Sequence, residues 1–516
     1  MARAAGAVRP RLARAARSAG PRLTRLARAT APQLTRGPKT WQYTAGAATA
    51  GLALAAGVVT AAGPWDSTGQ RTAERDRAVA LERTGGADHG RGSAGPGAAS
   101  GTPRPAPSAA SVLTALAGTP GAAPGGVKAA PRGEALADAL GPLLADPALG
   151  TRRGAAVVDL TTGERLYGQG AGTPLTPAST TKIATAVAAL GTLGPDHRLT
   201  TRTALEADTG ELVLVGGGDP TLTARPDAPG PGPASLRALA EKTAAALEKR
   251  GVREVTLSYD TTLYAGTQTH PIGVNENLAP ITALMADEAR TDVSTSGPAP
   301  RSADPAADAA RAFAGFLGEH GVTTSAPGPS KATDRAATLA TVSSPPLSAL
   351  VERMLTDSDN DIAEALARHT ALATGRSADF DGVSAALTAR LKQLGLPVRG
   401  AVFHDGSGLD RTDRITADLL TALLAEAADP ARPELRPALT GLPVAGFTGT
   451  LSSRYTEGAA GLVRAKTGTL TGVNTLAGTV ATPDGRLLAF AFLAHDTTDP
   501  QAAQKALDRA ATALTS

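Results

Sequence analysis

Pro177-Ala178-Ser179-Thr180-Thr181-Lys182-Ile183-Ala184-Thr185-Ala186-Val187 decides how the rest of the chain is read. The proline ends an extended approach, and from Ser179 to Leu190 the Ala, Ile, Val and Leu residues are spaced as in a buried helix. Ser179 therefore stands at a helix start. Residues three apart share a helical face with Cβ atoms about 5–6 Å apart, so the Lys182 amine can reach back to the Ser179 hydroxyl. A serine beside an amine that can take its proton is an activated nucleophile, once burial or a second cation lowers the lysine's proton affinity. Ser-x-x-Lys also occurs on ordinary surface helices. Here it is the single instance in a chain with nine lysines, and its lysine sits in an apolar helix, where an unpaired ammonium would be costly.

The 516 residues exceed one typical domain, and 42% hydrophobic content is enough for a sizeable core, which suggests two domains plus tails. Aromatics are only 3%, so the cores must be aliphatic. The absence of cysteine excludes disulfides, thiolate zinc sites and cysteine nucleophiles. Residues 1–40 carry nine arginines and Lys39 with no acidic residue, so a net charge of +4 for the whole chain leaves −6 for the rest. No basic stripe interleaved with aromatics follows, and nucleic acid is set aside as a partner.

Beyond this basic arm (residues 1–43), residues 44–63 are free of charge and flanked by Trp41, Tyr43 and Trp65. A helix of that length spans about 30 Å, the thickness of a bilayer's hydrocarbon core. The charge asymmetry predicts the amino terminus inside the cell membrane and the remainder outside. A signal segment cleaved near Ala62 would also export the remainder, while an Ala-rich soluble helix would not. Residues 64–131 have the Gly, Pro and Ala content of a disordered linker, with a root-mean-square span of about 45 Å.

The folded body begins near Arg132. Residues 134–149 read as a helix, and 154–160 with 164–167 as a hairpin turning at Gly163. With the nucleophile helix next, this is an α+β or α/β beginning in which sheet and helices pack as layers. From 199 to 341 the texture changes to strands at 211–215 and 254–258 and helices at 235–249 and 306–319, which reads as a domain inserted into a catalytic part made of 132–198 and 342–516. Gly216-Gly217-Gly218-Asp219-Pro220 lacks the Gly-Lys-Ser/Thr ending of a phosphate loop and reads as a turn.

Helices at 347–355 and 362–370 then flank Ser358-Asp359-Asn360, notable in a chain with four asparagines but equally compatible with a plain capping turn. Lys466-Thr467-Gly468-Thr469 lies in a strand over 461–470, followed by strands at 474–480 and 487–494 and a last helix at 500–514. A small residue inside a strand often marks a close approach by a backbone or ligand. Lys466 pointing into a cleft would be a fixed cation; otherwise it is a solvated strand lysine. The seven histidines are too scattered to suggest a metal, and no cofactor is expected.

Ser179-x-x-Lys182, Ser358-x-Asn360 and Lys466-Thr467-Gly468, in this order, resemble the three motifs of the penicillin-recognising serine enzymes. Gly218-Asp-Pro-Thr-Leu, Met354-Leu-Thr-Asp-Ser-Asp-Asn, Asp405-Gly-Ser-Gly-Leu and Gly449-Thr-Leu-Ser-Ser-Arg454 look like one branch of them, the D-alanyl-D-alanine carboxypeptidase/endopeptidase family of penicillin-binding protein 4 type. The resemblance covers residues 132–516. It implies the transpeptidase fold shared with serine β-lactamases, an antiparallel sheet flanked by helices plus a helical part, acting on peptidoglycan stem peptides and trapped by β-lactams. It also implies roles. Ser179 attacks the carbonyl between two D-alanines, and Lys182, held neutral by burial and by Lys466, accepts its proton. Ser358 relays a proton to the leaving amine and Asn360 orients Lys182 and the peptide. Thr467 and Thr469 hold the terminal carboxylate in the field of Lys466, and the backbone N–H groups of Ser179 and Thr469 form the oxyanion hole. A class A β-lactamase would need a deacylating glutamate after the Ser-Asp-Asn motif, but none occurs between Glu364 and Glu426. A β-lactamase and an inactive wall-binding scaffold are the alternatives.

Overall fold

The computed structural model describes residues 133–515 apart from 227–231, 233, 456 and 457. The basic arm, the uncharged segment 44–63 and the linker lie outside the described residues, among which no helix is long and apolar enough to cross a membrane.

The chain enters on helix α1 (Gly133–Leu144). The helix expected to reach 149 stops short, because Pro147 disfavours a helical conformation at Asp146. Asp146 instead accepts the Ala148 N–H at 2.9 Å and starts a separate 3-10 turn, Pro147–Leu149. The expected hairpin follows as β1 (Arg152–Asp159) and β2 (Arg165–Gln169). A 3-10 turn, Ala178–Thr180, then leads into α2 (Thr181–Leu193), buried at every residue from Thr181 to Leu190.

Residues 200–343 build a sheet of their own. Its strands are β3 (Thr200–Leu205), β4 (Glu211–Val215), β5 (Glu254–Asp260), the short β6 (Thr323–Thr324) and β7 (Gly328–Pro329), and β8 (Ala337–Ser343). The order is β6-β5-β4-β3-β8, with β5 parallel to β4 and to β6. Helices α3 (Leu236–Glu248) and α4 (Pro305–Glu319) pack on it, and Leu212, Leu239, Leu257 and Phe313 belong to a separate apolar cluster. Entry and exit are clasped together: Ser344 N donates to Leu199 O at 2.8 Å, and Leu199 N to Ser344 Oγ at 3.0 Å. The triple glycine after β4 is a tight packing point, as expected of a turn: a Cβ on Gly217 would lie 2.1 Å from Thr200 O.

The chain returns through α5 (Leu347–Asp357), α6 (Asn360–Ala373), α7 (Phe380–Gln393), α8 (Ala417–Ala428) and the short α9 (Pro437–Thr440). It then lays down β9 (Val463–Leu470), β10 (Val473–Ala481) and β11 (Leu487–His495) and ends on α10 (Pro500–Thr512). The main sheet runs β2-β1-β11-β10-β9 and is antiparallel throughout, with Arg152 opposite His495 and Asp159 opposite Leu488. Both its faces are covered. Ala156, Ala489, Ala491 and Leu493 share one apolar cluster with α2 and the helices after the insert, while Val157, Leu476, Phe490 and Phe492 share another with α1 and α10. This is why β11, Leu-Leu-Ala-Phe-Ala-Phe-Leu-Ala-His, reads as a continuous apolar run rather than an alternating one. The fold is the expected α+β, layered arrangement, and β9, carrying Lys466 to Thr469, is its edge strand.

Candidate active site

The turn before α2 aims the first hydroxyl. Ala178 has φ 49°, a left-handed conformation uncommon for a residue with a side chain, and it lifts Ser179 into the 3-10 turn ahead of the helix. Lys182 lies one helical turn on and is wholly buried. Its Nζ is 3.1 Å from Ser179 Oγ, 2.6 Å from Asn360 Oδ1 and 2.7 Å from the carbonyl oxygen of Ser407. The reach-back expected from the i, i+3 spacing is therefore present.

Ser358 and Asn360 arrive from the junction of α5 and α6. Ser358 ends α5 with φ 61°, and Asp359 between them caps α6 by accepting the Ile362 N–H at 2.9 Å. The capping turn and the site motif are thus the same object. The middle residue caps, and its neighbours are left free for the cleft. Asn360 Nδ2 donates to the Asn277 carbonyl at 2.8 Å, which fixes the amide so that Oδ1 faces Lys182.

From β9, the Lys466 amine donates to Ser358 Oγ at 2.9 Å and to Thr467 O at 2.8 Å. Thr467 Oγ1 donates to Thr450 Oγ1 at 3.0 Å. Gly468 is where the sheet meets the nucleophile turn. A Cβ there would lie 2.2 Å from Thr475 Oγ1 and 2.8 Å from Pro177 O, an oxygen that already accepts the Thr475 hydroxyl at 2.8 Å. Thr469 is exposed at the rim.

Ser179, Ser358, Asn360, Thr450, Thr467 and Thr469 line one cleft of about 300 Å³. Its opposite wall comes from the insert, through Asn277, Arg290, Pro298 and Arg301. The insert is pinned there by buried ion pairs. Arg353 of α5 pairs with Glu288 and Arg301 reaches Asp361 of α6 at 2.9 Å, while Arg290, inside the insert, also pairs with Glu288. Asp287, Glu288 and Ala289 are three successive left-handed residues, a costly turn that seats Glu288 between the two arginines. Glu288, Asp359 and Asp361 converge closely enough to suggest a metal, but guanidinium groups already face them.

Burial lowers the Lys182 ammonium to about 8, although Asp405, Asp359, Glu364 and Asp361 all pull it upward. Lys466 is held well below its ordinary range, by burial first and then by the charge of Lys182. The two ammonium groups also repel each other, so burial and mutual repulsion both disfavour charging the pair. The hydrogen bonds of Lys466 to Ser358 and Thr467 include no acidic partner.

Of the eight expected residues, Ser179, Ser358, Asn360, Thr467 and Thr469 line this cleft, while Lys182, Lys466 and Gly468 are buried behind it, the two lysines hydrogen-bonded to the lining hydroxyls of Ser179 and Ser358. Sequence reasoning missed the Ser407 carbonyl, Thr450 and Asn277. The first two lie in stretches the resemblance had flagged, whereas nothing local distinguishes Asn277.

Residues 136–301 and 295–514 match the D-Ala-D-Ala carboxypeptidase 3 (S13) family. The chain belongs to that family. Its relatives include the carboxypeptidase DacB of Mycolicibacterium smegmatis, 39% identical over 71% of this chain and 81% of that protein. Another is a D-alanyl-D-alanine carboxypeptidase of an Actinomadura species, 30% identical over 71% of this chain and 82% of its own length. In fold the chain is similar to penicillin binding protein 4 of Haemophilus influenzae, with a TM-score of 0.59 at 21% identity over 73% of this chain and 97% of that one. The two matched spans together run over residues 136–514, including the 200–343 sheet.

Proposed function

We propose that this D-Ala-D-Ala carboxypeptidase works through an acyl-enzyme on Ser179, with Lys182 as the base. The observation that carries this reading is the set of partners around the Lys182 amine. A neutral amine has two N–H groups and one lone pair. Asn360 Oδ1 and Ser407 O can only accept, so they take both N–H groups and leave the lone pair directed at the Ser179 hydroxyl. Ser179 Oγ then bonds to the carbonyl carbon between the two D-alanines while its proton passes to Lys182. The backbone N–H groups of Ser179 and Thr469 stabilise the oxyanion that forms. The C–N bond breaks as Ser358, hydrogen-bonded to Lys466, relays to the departing D-alanine amine the proton that Lys182 took from Ser179, which returns Lys182 to its neutral form. Water hydrolyses the ester and frees Ser179.

Thr467 and Thr469 hold the substrate's terminal carboxylate. Its arrival beside Lys466 favours the ammonium form that burial and Lys182 otherwise oppose, so Lys466 takes up a proton from solvent as the carboxylate binds. Endopeptidase cleavage of a cross-link is the same chemistry with a longer leaving amine. Penicillin acylates Ser179 and leaves slowly. The first glutamate after Asn360, Glu364, accepts the Gly406 and Ser407 N–H groups at 3.0 Å and pairs with Arg368, so it does not serve as a deacylating base.

Incubation with a labelled penicillin gives a stable adduct that Ser179→Ala abolishes, and a stem pentapeptide loses one D-alanine. Absence of an adduct on the intact protein overturns this reading; rapid penicillin turnover replaces it with a β-lactamase. The uncharged, aromatic-flanked segment 44–63 supports a further part of the proposal: it anchors the catalytic part outside the cell membrane, or releases it if cleaved near Ala62. Membrane fractionation with protease accessibility of the catalytic part tests it.

A further inference from the structure

Both acceptors that orient the Lys182 amine are themselves held by one short stretch of the insert. Asn360 receives its orientation from the Asn277 carbonyl. Ser407 is held by a loop whose central carboxylate, Asp405, is tied to His270. His270 Nε2 lies 2.9 Å from Asp405 Oδ2, and the two side chains are 2% and 0% exposed. The His270 ring also stands edge-on against Phe380 at 5.4 Å. Ile272 donates its backbone N–H to His270 Nδ1 at 3.2 Å, so the ring proton belongs on Nε2 and points at Asp405. Asp405 uses its other lone pairs within the loop, accepting the Gly408 N–H at 2.6 Å, the Asp410 N–H at 2.8 Å and the Ser407 hydroxyl at 3.2 Å. Burial opposes its charge, but these donors and His270 hold the carboxyl down at about 2. The same loop receives Glu364 on its Gly406 and Ser407 N–H groups and gives its Gly406 carbonyl to Thr185 at 2.6 Å.

We infer that His270 is a positioning residue for the acylation step, acting through Asp405 and the Ser407 carbonyl to fix the direction of the Lys182 lone pair. The inference rests on the reading of Lys182 as the base. It gives the insert a part in the chemistry, since a residue 91 positions from Ser179 in sequence sets the geometry of the proton transfer. It also separates two properties. Lys182 is buried whether or not His270 is present, so the loss of His270 alters the aim of the amine while the substrate-facing wall stays in place. A displacement near 1 Å at a reacting group can cost about a hundredfold in rate.

The test measures penicillin acylation of the full chain as a saturable process, separating the acylation rate constant from the initial binding constant. His270→Leu lowers the rate constant by about tenfold to a hundredfold with binding unchanged within about twofold. His270→Gln, whose side-chain amide places a donor where Nε2 stood, restores the rate to within about threefold. If His270→Leu does not fold, His270→Asn, too short to reach Asp405, replaces it, with thermal melting as the check on folding. A folded donor-less variant acylated at the wild-type rate, or one in which only binding weakens, overturns the inference. Failure of the wild-type protein to form any Ser179 adduct would instead overturn the underlying reading of the site.

Discussion

The two walls of the cleft are built on different principles. The catalytic wall is held by backbone geometry: a left-handed residue before Ser179, another at Ser358, and a glycine where β9 crosses the nucleophile turn. The insert wall has little regular structure between β5 and α4 and is held by charge, with Glu288 between two arginines and Arg301 on Asp361. Backbone geometry fixes position to a fraction of an ångström, as proton transfer requires. Buried ion pairs fix which segments meet, but each ion carries a desolvation cost that a lost partner exposes. Damage to the first wall should therefore appear in rate, and loss of an ion pair in the second mainly in stability.

The largest effect tests the first wall at its base. Lys182→Met keeps the volume and removes the amine, and acylation by penicillin should fall by at least about 10³-fold with little change in melting temperature. Gly468→Ala should come next, with a loss on the order of a hundredfold, because the added Cβ must push Thr475 and the Pro177 carbonyl apart. A normal rate in this variant would mean that the glycine serves no geometric purpose. The pH dependence follows from Lys182, which acts as a base only when neutral. With its ammonium at about 8, the acylation rate should fall about tenfold for each pH unit below that value and level off above it. A profile flat down to pH 6 would break the assignment.

The smallest effect on rate is expected from the ion pairs of the second wall. Arg301→Ala leaves Asp361 buried without its cation, so the protein should lose about 2–4 kcal/mol of stability at pH 8 while a folded sample acylates within about tenfold of wild type. Burial already raises the Asp361 carboxyl to about 7 against the pull of Arg301, and it rises further without that arginine. The folded variant then binds a proton that the unfolded chain lacks, so its stability deficit should shrink as pH falls from 8 to 6. Chemical denaturation at the two pH values checks this.

The catalytic wall was legible in the sequence because its signals are local. Ser179 and Lys182 are three apart, Ser358 and Asn360 two apart, and Lys466 to Thr469 share one strand. The strands of the main sheet and most helices also followed from periodicity. Helices α7 and α8 were not anticipated, although Asp379 and Thr416 are good caps that accept the N–H three residues on, from Gly382 and Leu419. The insert wall was not legible. His270 and Asp405 are 135 residues apart and Asn277 and Asn360 are 83 apart, and Asn277 contributes only a backbone carbonyl. The carboxylates that pull on Lys182, Asp405, Asp359, Glu364 and Asp361, were not legible either, since Asp405 comes to it from more than 200 positions away.

The pairing of β1 with β11 has a consequence for assembly. Residue 152 finds its partner only at 495, so the central strand pair of the catalytic sheet cannot form until nearly the whole polypeptide has emerged. Every strand of the insert's sheet is available by residue 343. Pairings this distant in sequence are slow to close. The order of synthesis thus leaves the strand bearing Lys466 among the last pieces to dock.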